Sequence, residues 1–195
     1  MKTKRRKFPI YAVIILLLSG TTILIFAKTF YDDLQKRWLL QTHPLEFSAQ
    51  VEEYADEYGL DRFLVYAVIK TESSFDPNAV SNLGARGLMQ IMEETFDWIS
   101  GLRLRESEMS FDDMFKADDN IRYGCYLLAY HLERFGDLDC ALAAYFAGDR
   151  TVIRWLENPD FSFDGRTLID IPDPDTRHYI RKVKTAYENY LYLYS

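Results

Sequence analysis

Glu72 is the side chain whose place in the sequence is best suited to acid chemistry. It follows the apolar stretch of residues 65–69, and only Lys70 and Thr71 lie between that stretch and Glu72. A carboxylate buried at such a position loses hydration, so its pKa should rise and it should keep its proton near neutral pH. A protonated carboxyl is what general-acid cleavage of a glycosidic bond requires. The alternative interpretation is a solvated glutamate at a helix end.

Enzymes that cleave glycosidic bonds commonly use a second carboxylate, and no other acidic residue has a comparable setting. Asp76 precedes a proline in a predicted turn, where aspartate commonly makes local hydrogen bonds. Asp61, Asp97 and Asp175 are better explained as helix caps or solvated charges. If Glu72 acts in acid/base chemistry, it is therefore predicted to act alone.

Composition and spacing argue against several other kinds of site. His43, His131 and His178 show no zinc-type spacing, so no metal site is predicted. Five basic residues fall in the first seven and the formal net charge is −7, so residues 8–195 carry about −12. So acidic a domain is a poor candidate for binding nucleic acid. Cys125 and Cys140 are predicted to lie too far apart on consecutive helices for a disulfide, as two buried free thiols.

Apolar residues at three- and four-residue steps predict a predominantly α-helical domain with no convincing strand. The predicted helices cover about residues 47–58, 61–72, 88–99, 118–135, 138–147, 149–156 and 175–194. Gly59 suits a C-terminal cap and Asp61 an N-cap. Residues 81–87 and 157–174 contain the glycines and prolines typical of loops.

The N-terminal residues predict export of the domain that follows them. Residues 1–7 are a basic segment, predicted to stay in the cytoplasm, and residues 8–27 are a run of 20 without a charge. Such a run is long enough for a membrane-spanning signal anchor, and a cleaved signal peptide is the alternative. Residues 28–44 are then a linker and residues 45–195 the exported domain, on the extracytoplasmic side of the membrane.

Five blocks of sequence carry a resemblance to a known family. They are ESSFDPNA at 72–79 with Ser81, GARGLMQIM at 84–92 with Thr95, NIRYG at 120–124, AAYFAG at 143–148, and Ile171-Pro172 followed by TRHYI at 176–180. In this order and over about residues 47–190, the chain resembles the soluble lytic transglycosylase (SLT) family, kin of goose-type lysozyme. The resemblance implies a lysozyme-like helical fold with a cleft for the glycan strands of peptidoglycan; the sequence does not indicate protein partners.

The resemblance also implies roles for individual side chains. Glu72 is implied as the catalytic acid/base, and six residues are implied in substrate binding: Ser73, Ser74, Met89, Gln90, Tyr145 and Tyr179. In such enzymes the glutamate first protonates the oxygen between MurNAc and GlcNAc and then takes a proton from the 6-hydroxyl of the same MurNAc. The product is a 1,6-anhydro ring, and no cofactor is needed.

The match departs from the family at a few positions, and these keep alternatives open. Phe146 stands where the family usually has asparagine, and Asp149-Arg150 replaces a flexible pair of residues. Asp175 is shorter by one methylene than the glutamate usual there. The expected function is a lytic transglycosylase. A muramidase, in which water replaces the 6-hydroxyl, and a non-catalytic wall-binding module on the same fold are the alternatives.

Overall fold

The computed structural model describes residues 10–104 and 108–195, with the side chains of residues 10–20 and 103 left out. The chain divides into a unit that ends at Pro44 and a second unit, Leu45–Ser195. Among the described residues, no helix is long and apolar enough to cross a membrane. The predicted basic segment, residues 1–7, and part of the predicted membrane span, residues 8–27, lie outside the described residues.

The first unit contains one helix, α1 (Ile10–Thr42), which runs through most of the predicted linker. Residues 28–42 contain neither glycine nor proline, the two residues that most disfavour a helix interior. An Arg37–Asp33 ion pair of 2.9 Å spans one turn and adds a small stabilisation at an exposed site. The linker is therefore helical as far as Thr42, where the sequence analysis predicted no helix.

The second unit is almost entirely helical, as its apolar periodicity predicts. In chain order it contains α2 (Ser48–Glu57), α3 (Arg62–Glu72), α4 (Glu93–Trp98), a π-helical turn (Ile99–Leu104), a 3-10 turn (Phe111–Phe115), α5 (Ala117–Phe135), α6 (Leu138–Ala147), α7 (Asp149–Leu156) and α8 (Pro174–Tyr194). The only β pairing among the described residues is two isolated bridges, Val80 with Arg86 and Arg86 with Ile91. The prediction of a predominantly α domain is confirmed.

Helix α3 lies at the centre of this unit. Its seven consecutive residues 63–69 are all buried, as expected for a helix that is apolar on every side. Asp61 caps the start of the helix by accepting a hydrogen bond of 2.7 Å from the backbone N–H of Phe63. Helix α8 packs along α3, and the rings of Tyr66 and Tyr190 stack between them at 5.4 Å. The two helices thus form a rigid support for the residue at the C-terminal end of α3.

The helix predicted at residues 88–99 begins only at Glu93, so its first five residues were predicted wrongly. Gly87 and Gln90 have positive φ, which interrupts a right-handed helix. Arg86 and Ile91 instead pair through both backbone N–H groups, at 2.9 and 3.0 Å. Residues 86–91 therefore form a tight turn that continues the loop after α3.

Asn120, fully buried on α5, holds this turn in place. Its side-chain oxygen accepts a hydrogen bond of 2.7 Å from the Met89 N–H. Its amide nitrogen donates to the carbonyl oxygens of Arg86 and Met114, at 2.9 and 2.8 Å. A Cβ atom at Gly87 would lie 2.2 Å from the Met114 oxygen and 2.3 Å from the Asn120 amide nitrogen, so only glycine fits there. The turn and α5 are thus joined by one fully satisfied polar side chain.

Helices α5 and α6 pack as consecutive antiparallel neighbours across a short turn at Gly136, which has a left-handed φ of 65°. Asp137 caps the start of α6 by accepting a hydrogen bond of 2.9 Å from the Cys140 N–H. Cys125 and Cys140 are free and buried, which confirms the prediction of two thiols.

Replacement of Asn120 should lower the stability of the domain, because the side chain holds the turn through hydrogen bonds in the core. Asn120→Ala removes the acceptor of the Met89 N–H and the amide donor to the carbonyls of Arg86 and Met114. We expect a loss of about 2–4 kcal/mol in the free energy of unfolding. Asn120→Asp should cost at least as much, because a carboxylate oxygen would then face two carbonyl oxygens. Urea unfolding measures both, with the exposed Asn82→Ala as the matched control. Equal stability of Asn120→Ala and the control would contradict this account of the turn.

Candidate active site

Glu72 occupies the last position of α3 because the backbone leaves the helix immediately after it. Ser74 and Phe75 have positive φ values of 52° and 69°, which is uncommon for residues other than glycine. The Phe75 side chain is buried, and its ring lies 6.3 Å from that of Tyr66 on α3. Burial of Phe75 therefore offsets the strain of the two left-handed residues. The sharp exit fixes Glu72 at the end of a rigid helix.

Tyr179 on α8 holds the carboxyl of Glu72. Its hydroxyl donates a hydrogen bond of 2.7 Å to Glu72 Oε1. Helix α8 is fixed at its start by Asp173, which accepts from the backbone N–H and the hydroxyl of Thr176, at 2.8 and 2.5 Å. Since Oε1 accepts from Tyr179, Oε2 is the oxygen left to carry a proton when the carboxyl is neutral.

Burial raises the pKa of Glu72 from an ordinary value of 4.5 to about 7. The hydrogen bond from Tyr179 and the positive charge of Lys182 act in the opposite direction, because both favour the ionised form. The C-terminal end of a helix is the negative end of its dipole, which further disfavours a carboxylate there. The protonated and ionised forms of Glu72 are thus both accessible near neutral pH.

Tyr145 on α6 is a second tyrosine whose pKa is affected by the charge of Glu72. Burial, with the nearby charge of Glu72, raises the pKa values of Tyr145 and Tyr179 well above the usual value. Both phenols therefore stay protonated and act as hydrogen-bond donors. The hydroxyl of Tyr145 donates to the backbone oxygen of Met89 at 2.8 Å, so it connects α6 to the turn that Asn120 holds.

Ser73 and Ser74 lie beside Glu72 in sequence, but their hydroxyls form hydrogen bonds with backbone groups at the C-terminal end of α3. Ser73 Oγ donates to the Ile69 carbonyl at 3.2 Å and accepts at 3.2 Å from the Phe75 N–H. Ser74 Oγ donates to the Lys70 carbonyl at 3.4 Å, and Ser74 is exposed. The predicted role of either serine in substrate binding stays a prediction.

Met89 and Gln90 occupy different environments. Met89 is 0% exposed, and a Cβ at Gly124 would lie 2.3 Å from its sulfur, so its side chain is a core residue and only its backbone oxygen faces Tyr145. Gln90 is half-buried, and its amide nitrogen donates to the carbonyls of Gly87 and Ala79 at 2.8 and 3.2 Å. Of these two side chains, Gln90 alone has surface that a ligand could contact.

A groove of about 610 Å³ opens beside Tyr145. Its walls are aromatic, polar and charged, and include Trp98, Tyr130, His131, Phe146, Asp149 and Arg150. Phe146 is 46% exposed, and its ring stacks on that of Tyr179 with centroids 4.6 Å apart and planes 22° apart. Phe146 therefore contacts both the groove and the residue that holds Glu72.

The sequence analysis gave His131 and Asn120 no role. His131 is buried in the groove wall, and its Nδ1 has no hydrogen-bond partner among the described residues. Burial lowers the pKa of His131 to about 4, so the ring is neutral near pH 7. Asn120 lies within one of the five sequence blocks, so its anchoring role could have been suspected from the sequence. His131 lies outside the blocks, and its position could be found only from the structure.

Solved structures with the same fold include two lytic transglycosylases. The 70 kDa soluble lytic transglycosylase from Escherichia coli shares 26% identity with a TM-score of 0.70, over 79% of this chain and 25% of that chain. An inactive mutant of the lytic transglycosylase Slt from Pseudomonas aeruginosa shares 29% identity with a TM-score of 0.66, over 77% and 25%. The helical unit thus has the lysozyme-like SLT fold.

The sequence matches define the family. The chain belongs to the family described as Transglycosylase SLT domain, whose model matches residues 49–164, and the resemblance inferred from the five blocks is confirmed. The soluble lytic murein transglycosylase of Escherichia coli is 29% identical over 84% of this chain. The membrane-bound lytic murein transglycosylase F of Desulfosudis oleivorans is 34% identical over 60% of it. The chain spans about a quarter of the length of these relatives.

Glu72→Gln should stabilise the protein at neutral and higher pH. The folded-state pKa of Glu72 is raised to about 7, so the folded form binds a proton more tightly than the unfolded form. The stability that this proton contributes is present below about pH 4.5 and is lost as the pH rises through 7. Glutamine is neutral at every pH. Between these pH values, the free energy of unfolding of the variant should therefore rise relative to that of wild type by up to roughly 3 kcal/mol.

Urea unfolding of both proteins at pH 4.5 and pH 8 measures this change. The lowered pKa of His131 makes both proteins less stable in acid, and its effect cancels in the difference between them. Glu53→Gln, at an exposed position on α2, is the matched control and should show no such pH dependence. If the difference in the free energy of unfolding between wild type and Glu72→Gln is the same at both pH values, burial of the carboxyl is contradicted.

Proposed function

We propose that this chain is a peptidoglycan lytic transglycosylase that cleaves the β-1,4 bond between MurNAc and GlcNAc and leaves a 1,6-anhydro-MurNAc end. The observation that carries the proposal is the carboxyl of Glu72, half-buried at a helix end, with a pKa of about 7 and one oxygen occupied by Tyr179. The names of the relatives, lytic murein transglycosylases, support the same activity.

The proposed reaction uses Glu72 twice. In the first step Glu72 gives its proton to the bridging oxygen, the bond from that oxygen to C1 of MurNAc breaks, and GlcNAc leaves with a 4-hydroxyl. The MurNAc 2-acetamido group stabilises the electron-poor C1 in place of a second carboxylate. In the second step the ionised Glu72 takes the proton of the 6-hydroxyl while O6 bonds to C1. Glu72 regains its proton, and neither water nor a cofactor is consumed.

A pKa near 7 suits a group with both tasks. General catalysis is most effective when the pKa of the acid or base lies near the working pH. An exposed glutamate would be ionised and a poor acid, whereas a fully desolvated one would stay protonated and be a poor base. Burial against the opposing effects of Tyr179 and Lys182 gives an intermediate value.

The groove beside Tyr145 is the proposed site for the glycan strand. Trp98, Tyr130 and Phe146 give it aromatic surface, which suits the apolar faces of sugar rings. Its acidic and basic side chains, Glu94, Asp149 and Arg150, can hydrogen-bond hydroxyl and acetamido groups. A solved complex of a 70-kDa soluble lytic transglycosylase contains bulgecin A, so a protein of the same fold binds a ligand.

The test is a digest of intact peptidoglycan by the full chain in mild detergent, with product ends identified by mass spectrometry. We expect anhydro ends from wild type and a loss of at least about a hundredfold in Glu72→Gln, the effect typical of removing a general acid. Glu53→Gln should cleave as wild type does. In one solved relative, a mutant in which glutamate is replaced by glutamine is described as inactive.

Other products would assign a different function. Reducing ends that disappear in Glu72→Gln would make the protein a muramidase, because water then replaces the 6-hydroxyl. If wild type produces neither kind of end from any wall substrate yet binds peptidoglycan, the chain is a wall-binding module.

We further propose that residues 8–27 tether the domain to the membrane, with the domain on the cell-wall side. The uncharged run of 20 residues and the five basic residues before it support this, and two relatives are named membrane-bound transglycosylases. The full chain should stay with membranes after alkaline extraction, and a chain lacking residues 1–27 should not. Mature protein that begins near residue 28 in the soluble fraction would indicate a cleaved signal peptide instead.

A further inference from the structure

Phe146 has a position that a structural role alone does not account for. Nearly half of its surface is exposed, although it lies at the end of a helix whose residues 140–144 are all buried. Its ring lies flat against Tyr179, 4.6 Å between centroids, and also lines the groove. Tyr179 itself is only 5% exposed. The ring of Phe146 therefore covers one face of the Tyr179 ring and also forms part of the groove wall.

The residue type matters because of what asparagine would do in its place. An asparagine there would carry an amide, which can bind and orient a water molecule. A phenyl ring has no such group and keeps water away from the surface that it covers. In this chain the part of the groove wall that stacks on Tyr179 is therefore apolar.

Water near Glu72 decides which product forms. After the bond from C1 to the bridging oxygen breaks, C1 can be captured by O6 of the same sugar, whose proton goes to Glu72, or by the oxygen of a water molecule, whose proton also goes to Glu72. The first path gives the anhydro ring, and the second gives a reducing end with a hydroxyl on C1. Both need the same base, so the outcome depends on which hydroxyl group lies between C1 and Glu72.

We infer that Phe146 is a positioning residue that excludes water from the Tyr179–Glu72 pair and so directs the reaction to ring closure rather than hydrolysis. The inference rests on the proposed function, because it concerns how that reaction ends. Phe146 acts in two ways. Its stacking holds Tyr179 against Glu72 Oε1, and its apolar ring occupies a place where water could otherwise bind.

The experiment measures the ratio of anhydro to reducing ends in water enriched in oxygen-18, which marks every hydrolysed end by mass. Phe146→Asn and Phe146→Ala should raise the fraction of reducing ends by about tenfold. Phe146→Tyr keeps the ring and should resemble wild type. Phe163→Ala, which removes an equally large ring at a site 85% exposed, is the matched control.

The ratio is counted per cleaved bond, so a variant that is only partly folded still reports it correctly. The pH dependence of cleavage is a second readout, because loss of the apolar cover should move the limb governed by Glu72 to lower pH in Phe146→Ala. Normal cleavage by wild type with the same ratio of ends in Phe146→Asn, Phe146→Ala and wild type would overturn the inference alone. If wild type forms no anhydro ends, the proposed function fails and the inference fails with it.

Discussion

The hydrogen bond from Tyr179 to Glu72 is the interaction on which the site depends. It joins side chains 107 positions apart in sequence, so it can form only when α8 packs along the buried helix α3. The same packing removes water from the carboxyl and raises the pKa of Glu72 to about 7. One helix–helix contact therefore sets both the position of the carboxyl and its protonation state. The stability of the core and the chemistry of the site cannot be changed independently.

Strained backbone lies on both sides of the site, and buried anchors hold it there. Ser74 and Phe75 follow Glu72 with positive φ, and Gln90 has the same sign in the turn before α4. Such residues cost of the order of 1–3 kcal/mol each and persist only where the surroundings fix them. Burial of the Phe75 ring fixes the first pair, and the bond from the Met89 N–H to Asn120 fixes the turn. The anchors lie in the core, so the strained segments face the surface without loosening the fold.

Local patterns predicted most of the helices but not the turn that precedes α4. Apolar periodicity and the cap at Asp61 suffice for α3, because both are properties of neighbouring residues. The segment 88–92 is apolar enough for a helix, yet its geometry is decided by Asn120, which lies 31 positions from Met89. Side-chain direction is equally non-local: Met89 was predicted in the cleft, but it points into the core against Gly124. The resemblance to the family drew attention to Phe146, whereas its stacking on Tyr179 could be found only from the structure.

A single carboxyl that serves as acid and then as base needs opposing influences of similar size. Burial at the negative end of α3 favours the protonated form, while the Tyr179 hydroxyl and the Lys182 charge favour the ionised form. Tyr179 can donate only while it is itself protonated, and burial beside Glu72 ensures this by raising its own pKa. The stacked ring of Phe146 belongs to the same balance, because it covers one face of the Tyr179 ring and also lines the groove. If water reached the pair in place of that ring, hydration would stabilise the carboxylate and lower the pKa of Glu72. Less of the group would then carry a proton for the acid step at neutral pH, and the base would be exposed to water.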